Sequence, residues 1–208
     1  MTKTMNNVFK IVLTTLFALT LSACDAPKLN KLSNQDVIVA FGDSLTMGVG
    51  TEEEFSYPSV LAQLSGIEVI NEGISGETTN EGLERLPDVL DEYNPSLLIL
   101  IEGGNDILRN KDYNQIKNNL DKMIQMTLAR GTQVVLIGVP EKRLFSNTAP
   151  FYEELAEKHD LVFDGHLIGG LMRSPSKKSD PIHFNQEGYY SMAEEILSLL
   201  SDNGALAR

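Results

Sequence analysis

The sequence predicts an α/β domain in which a sheet of parallel strands lies between two layers of helices. Strand-like apolar runs alternate five times with segments of helical periodicity, and this alternation is typical of parallel strands joined by helical crossovers. Residues 97–101, Leu-Leu-Ile-Leu-Ile, are apolar on both faces of the predicted strand, as a central strand covered by helices must be. No strong hairpin signal separates neighbouring strands, which disfavours an antiparallel sheet.

Length, charge and cysteine content limit the classes of protein to consider. A chain of 208 residues with 42% hydrophobic and 22% charged residues is long enough for one domain with a full core. The formal net charge of −12 comes without a basic block, so nucleic acid is not an expected partner. Cys24 is the only cysteine, which excludes an intrachain disulfide.

The N-terminus has the pattern of an export signal. Lys3 and Lys10 flank the start, and an apolar run follows at residues 11–21. This run has the length of a signal-peptide core and is too short to span a bilayer as a helix. It ends in Leu-Ser-Ala-Cys at residues 21–24, which resembles the lipobox of bacterial lipoproteins and implies cleavage before Cys24 and lipid on that residue. A simple signal peptide with a chance cysteine is the alternative.

We therefore expect a signal peptide over residues 1–23, a lipidated cysteine with a polar tether over residues 24–35, and one folded domain over residues 36–208. The acidic domain is repelled by anionic headgroups, so membrane attachment should come from acyl chains. In enteric bacteria an aspartate after the lipidated cysteine favours the inner membrane. Asp25 therefore predicts a lipid anchor in the cell envelope, on the periplasmic face of the inner membrane.

The first predicted strand begins at Val37 and stops at the sequence Gly-Asp-Ser-Leu of residues 42–45. A buried strand that ends in this way delivers the hydroxyl of Ser44 to the carboxyl edge of the sheet, where ligands bind in open α/β proteins. Taken alone, such a serine is usually a turn residue or a helix cap.

Residues that begin or interrupt helices predict the next secondary-structure elements. Ser56 and Pro58 begin a helix that runs to Gly66, since proline is favoured in the first turn of a helix. A short second strand is expected at residues 67–70. The helical segment after it contains Pro87, at which we expect a kink or a restart.

The second half of the chain continues the alternation after the strand at residues 97–101. We expect a helix at residues 112–131, a strand at 134–138, a helix at 151–159 and a strand at 161–163. Residues 166–179 have no clear period and are expected to be irregular. A last helix begins near Asn185 and has one apolar stripe.

Three of the predicted strands end in polar turns: at Ser44, at residues 73–76 and at residues 103–106. In a parallel sheet these turns share one edge, so the residues that they carry converge in space. The sequence Asp-Pro-Ile-His at residues 180–183 suits a type I turn, which would bring Asp180 close to His183. The carboxylate could then hold Nδ1–H of His183 and leave Nε2 to accept the proton of Ser44.

If Ser44 is a nucleophile in acyl transfer, the site also needs hydrogen-bond donors at the point where negative charge develops on the substrate oxygen. The candidates are the backbone amides of Ser44 and Gly76 and the side-chain amide of Asn105. Glycine allows a close backbone approach, and a carboxamide is a neutral donor.

Four blocks of this sequence together resemble the GDSL or SGNH hydrolase family. They are Gly-Asp-Ser-Leu at 42–45, Asn-Glu-Gly-Ile-Ser-Gly-Glu-Thr at 71–78, Gly-Gly-Asn-Asp at 103–106 and Asp-Pro-Ile-His at 180–183. The spacing and the Leu86-Pro87 pair are similar to the bacterial multifunctional thioesterase, lysophospholipase and arylesterase branch. The resemblance covers the whole domain after the tether.

The resemblance implies a three-layer αβα sandwich whose five parallel strands have the order 2-1-3-4-5. It implies that Ser44 is the nucleophile, that His183 is the general base and then the acid, and that Asp180 orients the histidine. Gly76 and Asn105 would complete the oxyanion hole. No metal or organic cofactor is implied, and the partner is a small-molecule or lipid ester: aryl, short or medium acyl, lysophospholipid, or a thioester. Tyr57 and Phe184 depart from the family pattern near the expected substrate region.

Three other functions fit the sequence less well. A metallophosphoesterase needs several histidine and carboxylate ligands, and the chain has three histidines and no Asp-x-His pair. A serine hydrolase of the Gly-x-Ser-x-Gly type is disfavoured because Thr46 stands at the last position of that motif. A non-catalytic envelope lipoprotein that keeps the fold as a binding module is the remaining alternative.

Overall fold

The computed structural model describes residues 28–142 and 148–206. Its sheet has five strands in the order β2-β1-β3-β4-β5, and every pairing is parallel. The strands are β1 (Val37–Gly42), β2 (Glu68–Gly73), β3 (Leu97–Ile101), β4 (Gln133–Ile137) and β5 (Val162–Asp164). The predicted fold class and strand order are therefore confirmed.

Helices cover both faces of this sheet. Helix α2 packs against α8, whereas α3, α5 and α6 pack against one another in sequence on the opposite face. The helices are α1 (Ser44–Met47), α2 (Tyr57–Ser65), α3 (Thr79–Tyr93), α4 (Gly104–Leu108), α5 (Tyr113–Ala129), α6 (Pro150–His159), α7 (Leu167–Met172) and α8 (Gln186–Asp202). Every residue of β3 is buried, because this central strand has helices on both sides.

Side-chain caps fix where the long helices begin. Asp112 accepts the amide of Asn114 at the start of α5, and Asn185 accepts the amide of Gly188 at the start of α8. Thr78 and Glu81 form a capping box at the start of α3. Each of these bonds satisfies an amide that has no acceptor within its own helix.

Helix α3 continues through Pro87, where a kink or a restart was expected. Proline removes one backbone hydrogen bond from a helix interior and crowds the preceding turn. Leu86, Val89 and Leu90 on either side of it are buried in the core, and their packing holds the two halves of α3 in one helix.

Residues 166–179 were expected to be irregular, and this expectation was wrong in part. The segment contains α7 and a 3-10 turn at Pro175–Lys177. Leu167, Ile168 and Leu171 of α7 are buried. A helix of six residues is too short to show a repeating apolar stripe in sequence.

The segment predicted as a tether is part of the folded domain from Lys28 onwards. Leu29 and Leu32 are buried, and their amides donate to the carbonyls of Asn203 and Ala205 over 3.0 and 2.8 Å. The two leucines stand alone in an otherwise polar segment, so no pattern in the sequence predicted their burial. The predicted signal peptide, Cys24 and Asp25 lie outside the described residues. None of the helices within the described part of the chain is long and apolar enough to cross a bilayer.

Candidate active site

Ser44 lies at the turn between β1 and α1, at the carboxyl edge of the sheet. Close approach of the chain forms this turn: a Cβ atom on Gly42 would lie 2.1 Å from the carbonyl oxygen of Ile101 on β3. The carboxylate of Asp43 caps α1 by accepting the amide of Leu45 at 3.0 Å. Ser44 is thus the first residue of a short helix directly beside the central strand.

His183 and Asp180 stand in a hydrogen-bonded row with Ser44. Nε2 of His183 lies 3.0 Å from Oγ of Ser44, and Nδ1 lies 2.7 Å from Oδ2 of Asp180. An ionised carboxylate can only accept hydrogen bonds, so Nδ1 carries the hydrogen and Nε2 is free to accept from the serine. The row has the order that proton transfer from a serine requires.

The Asp180 carboxylate also organises its own turn. Its Oδ1 accepts the amides of Ile182 at 2.7 Å and of His183 at 2.8 Å, and these bonds bring the two side chains together. The hydrogen bond from the His183 ring, followed by the two amides, lowers the pKa of Asp180 to about 2. Asp180 is therefore ionised throughout the neutral range.

The loop that carries His183 is fixed to the domain on both sides. The amide of Ser179 donates to the carbonyl of His183 at 3.0 Å. Phe184 is fully buried and meets the ring of Tyr189 edge to face. Tyr57 is fully buried as well, so the two residues that depart from the family pattern lie in the core and not against a substrate.

Gly76 and Asn105 lie on the turns after β2 and β3, next to the Ser44 turn. Gly76 has φ 82°, a conformation that glycine adopts without strain. Nδ2 of Asn105 is 3.3 Å from Oδ2 of Asp43, which places the carboxamide beside the serine turn. The amide of Ser44 opens a helix, where backbone amides have no intrahelical acceptor. The structure thus brings the turns of Gly76 and Asn105 to the same edge of the sheet as Ser44.

Arg109 connects two of these turns, and no role for it was predicted from the sequence. Its Nη2 donates to the carbonyl of Gly76 at 3.0 Å. Arg109 immediately follows α4, the helix that carries Asn105. The guanidinium therefore joins the turn of Gly76 to the turn of Asn105. Its position four residues after the asparagine was the only signal in the sequence.

A group of buried carboxyls lies behind the serine turn. Burial raises the pKa of Asp43 to about 6. Asp106 on α4 accepts the amide and hydroxyl of Thr79 at 2.8 and 3.1 Å. Glu77 forms a bidentate pair with Arg85 at 2.6 and 2.8 Å. Glu102 is fully buried, and no functional role was predicted for Glu77 or Glu102.

The other two histidines lie elsewhere. Nε2 of His159, at the end of α6, pairs with Oδ1 of Asp121 on α5 at 2.6 Å. His166 is exposed at the start of α7. Within residues 28–142 and 148–206, no group of three or more His, Cys, Asp or Glu side chains is arranged to hold a metal ion.

Comparison with known proteins places this arrangement in context. Residues 40–190 match the GDSL-like Lipase/Acylhydrolase family. An arylesterase of Vibrio mimicus is 33% identical over 170 residues, which cover 76% of this chain and 85% of that protein. Thioesterase 1/protease 1/lysophospholipase L1 of Escherichia coli K12 is 27% identical over 197 residues, 91% of each chain. The crystal structure of AlinE4, an SGNH-hydrolase family esterase, superposes with a TM-score of 0.64 at 31% identity, covering 83% of this chain and 96% of that one.

Proposed function

The chain belongs to the GDSL-like lipase/acylhydrolase family, and from this membership we propose that it hydrolyses carboxylic esters through an acyl-enzyme on Ser44. The observation that carries the proposal is the row from Ser44 Oγ through His183 to the Asp180 carboxylate, with contacts of 3.0 and 2.7 Å. Such a row activates a hydroxyl that is otherwise a weak nucleophile.

Acylation begins with attack of Ser44 Oγ on the carbonyl carbon of the ester while Nε2 of His183 takes the hydroxyl proton. The carbonyl oxygen becomes an oxyanion that accepts from the amides of Ser44 and Gly76 and from Nδ2 of Asn105. The bond to the alcohol oxygen then breaks, and His183 returns the proton to the leaving alkoxide. Asp180, held ionised by its hydrogen bonds, stabilises the imidazolium that exists between these two transfers.

Deacylation repeats the sequence with water. His183 takes a proton from a water molecule, whose oxygen attacks the acyl carbon on Ser44. The second tetrahedral intermediate uses the same three donors. When it collapses, the bond to Oγ breaks, the proton returns to Oγ and the carboxylic acid leaves.

The surroundings of Ser44 support an apolar acyl group in the substrate. The turns that carry the candidate site residues also present four exposed apolar side chains: Met47, Ile74, Leu108 and Ile182. Exposed apolar side chains gathered around a polar site are typical of ligand-binding surfaces. The names of the relatives, arylesterase and thioesterase/lysophospholipase, are consistent with aryl, short or medium acyl, or lysophospholipid esters.

Fluorophosphonate labelling tests the proposal directly. We expect the folded protein to form one covalent adduct, located on Ser44 by peptide mass spectrometry, because only an activated serine attacks the phosphorus at a useful rate. Ser44→Ala should not label. Ser59→Ala, which changes another serine hydroxyl on α2, is the matched control and should label normally. An intact protein that does not label would instead support the non-catalytic binding module.

The negative charge of the protein favours neutral ester substrates over polyanionic ones. The chain carries a net charge of −12, and Glu81, Glu84 and Asp88 line a groove beside Gly76. We expect kcat/KM for neutral p-nitrophenyl and aryl esters to exceed that for polyanionic acyl-CoA thioesters at physiological ionic strength, because like charges oppose encounter. A graded series of acyl lengths, measured beside lysophospholipid and acyl-CoA, checks this; a preference for acyl-CoA would contradict it.

We further propose that lipid on Cys24 anchors the domain to the envelope, on the periplasmic face of the inner membrane. The support is the apolar run at residues 11–21, the lipobox-like residues 21–24 and Asp25. Mass spectrometry of the processed N-terminus should find an acylated Cys24; a free thiol would rule the anchor out.

A further inference from the structure

Glu102 is a buried carboxyl for which the proposed mechanism has no use. It directly follows β3, and its side chain is 0% exposed. Its Oε2 accepts the amide of Gly103 at 2.9 Å. Its Oε1 is buried, and among residues 28–142 and 148–206 it has no hydrogen-bond partner. A carboxylate ion in this position would be desolvated without compensation, which is among the costliest states in a protein interior.

A second carboxyl, that of Glu77, lies beside Glu102. The side chain of Glu102 lies at hydrogen-bonding distance from that of Glu77, which is 4% exposed. Two ionised carboxylates only accept hydrogen bonds, so this contact is a bond only if one of the two carries a proton. Arg85 holds both oxygens of Glu77 and thus favours the ionised form there. The proton belongs on Glu102.

The other carboxyls around this pair favour the same state. Asp43 on the neighbouring turn and Asp106 on α4 are buried as well, whereas the cation Arg85 binds the oxygens of Glu77. The hydroxyl of Tyr152 on α6 donates to the backbone carbonyl of Glu102 at 2.6 Å and not to its carboxyl group. Burial, and then the charges of Asp43 and Glu77, hold the pKa of Glu102 well above its ordinary value.

We propose that Glu102 is a positioning residue that acts as a neutral acid, and that its proton joins the two turns on which Gly76 and Asn105 stand. Glu77 immediately follows Gly76, and Glu102 precedes Asn105 by three residues. A hydrogen bond from Glu102 to Glu77 therefore fixes the separation of two oxyanion donors from inside the protein. The exposed Arg109–Gly76 bond makes the second link, at the surface. This role rests on the proposed ester hydrolysis at Ser44.

Loss of the proton replaces the bond with repulsion between two buried carboxylates. The two donors then move relative to one another, and the transition state loses stabilisation while substrate binding changes little. The protein should therefore show a fall in kcat, with an almost constant KM, as pH rises through the raised pKa of Glu102. The free energy of unfolding should depend on the same proton. The pKa of Glu102 is raised in the folded state above its ordinary 4.5. The protonated carboxyl therefore contributes its full stabilisation of the folded state below pH 4.5, and this stabilisation is lost as pH rises.

Replacing Glu102 by glutamine tests this role. The carboxamide has the shape of the neutral acid: its oxygen can accept the amide of Gly103 while its nitrogen donates to Glu77. We expect Glu102→Gln to keep kcat within about threefold near neutrality, a change small beside the loss of an oxyanion donor, and to lose the fall of kcat with rising pH. Glu102→Leu removes the donor at every pH and should lower kcat by roughly ten- to a hundredfold with KM unchanged.

Urea unfolding at pH 5 and pH 9 gives a readout that does not depend on activity. The natural protein should lose more stability between these pH values than Glu102→Gln. Glu157→Gln, at an exposed position on α6, is the matched control and should follow the natural protein in both measurements. If Glu102→Leu does not fold, the comparison of Glu102→Gln with the natural protein is decisive by itself.

The proposal is overturned if Glu102→Gln is as impaired as Glu102→Leu, if it fails to fold, or if its stability falls with pH in parallel with the natural protein. Each of these results would mean that the neutral form is not the working form. Failure of the proposed function has a different signature: the natural protein would not label at Ser44, while its unfolding would still show the pH dependence assigned to Glu102.

Discussion

Replacing His183 with alanine is expected to lower kcat by about a millionfold, the loss seen when the histidine of a serine hydrolase triad is removed. Without Nε2 at 3.0 Å from Ser44 Oγ, no group takes the hydroxyl proton during attack or returns one to the leaving alcohol. KM should change little, because the imidazole holds the reacting atoms rather than the rest of the substrate. Steady-state rates on a p-nitrophenyl ester, with fluorophosphonate labelling in parallel, measure both effects.

The chain supplies its own control for this variant. His166→Ala removes an exposed imidazole from the start of α7 and should leave kcat and labelling unchanged. A modest effect of His183→Ala, within tenfold of the natural rate, would mean that another base serves Ser44 and that the row in the structure is not the catalytic one.

Replacing Asp180 with asparagine should have the second largest effect, a fall in kcat of about ten-thousandfold. The amide nitrogen cannot accept the hydrogen of His183 Nδ1, so the ring loses the tautomer that leaves Nε2 free. The imidazolium also loses a carboxylate whose pKa of about 2 keeps it ionised at every working pH. Rates measured from pH 6 to 9 would show the loss across the whole range, because no deprotonation restores the charge.

Asp91→Asn makes the same chemical change at an exposed position on α3 that is not part of the site and is the control. The amides of Ile182 and His183 that bind Asp180 Oδ1 could still bind an asparagine oxygen, so the turn should keep its shape. Circular dichroism and the unfolding midpoint should therefore be close to those of the natural protein. A rate loss that accompanies unfolding would count as structural and against the proposed role.

The fold could be predicted because its signals are local and repeated. The run Leu97–Ile101 has no polar residue, which is possible only for a strand with helices on both sides. Strand β2 was placed too short, at residues 67–70, because Asn71 and Glu72 are polar. It is an edge strand that pairs with β1 alone and continues to Gly73, and partial exposure allows polar residues there.

The residues of the candidate site could be predicted from the sequence where they directly follow strands. Ser44 and Asn105 follow β1 and β3, so the parallel sheet places them at one edge. Asp180 and His183 are only three residues apart, and their contact is local. Arg109 and Glu102 were not foreseen, because Gly76, which Arg109 contacts, and Glu77, which lies beside Glu102, are distant from them in sequence, and no periodicity marks such pairs.

The packing of the N-terminal segment determines which way the domain would face on a membrane. Lys28 pairs with Asp160 before β5, and the amide of Asn30 donates to Gln133, the first residue of β4. This segment therefore lies at the amino edge of the sheet, opposite Ser44. Lys28 is four residues after Cys24, a reach of about 14 Å at most. A lipid on Cys24 would hold the amino edge against the bilayer and point the serine into the aqueous space, toward dissolved esters and away from the lipids of its own membrane.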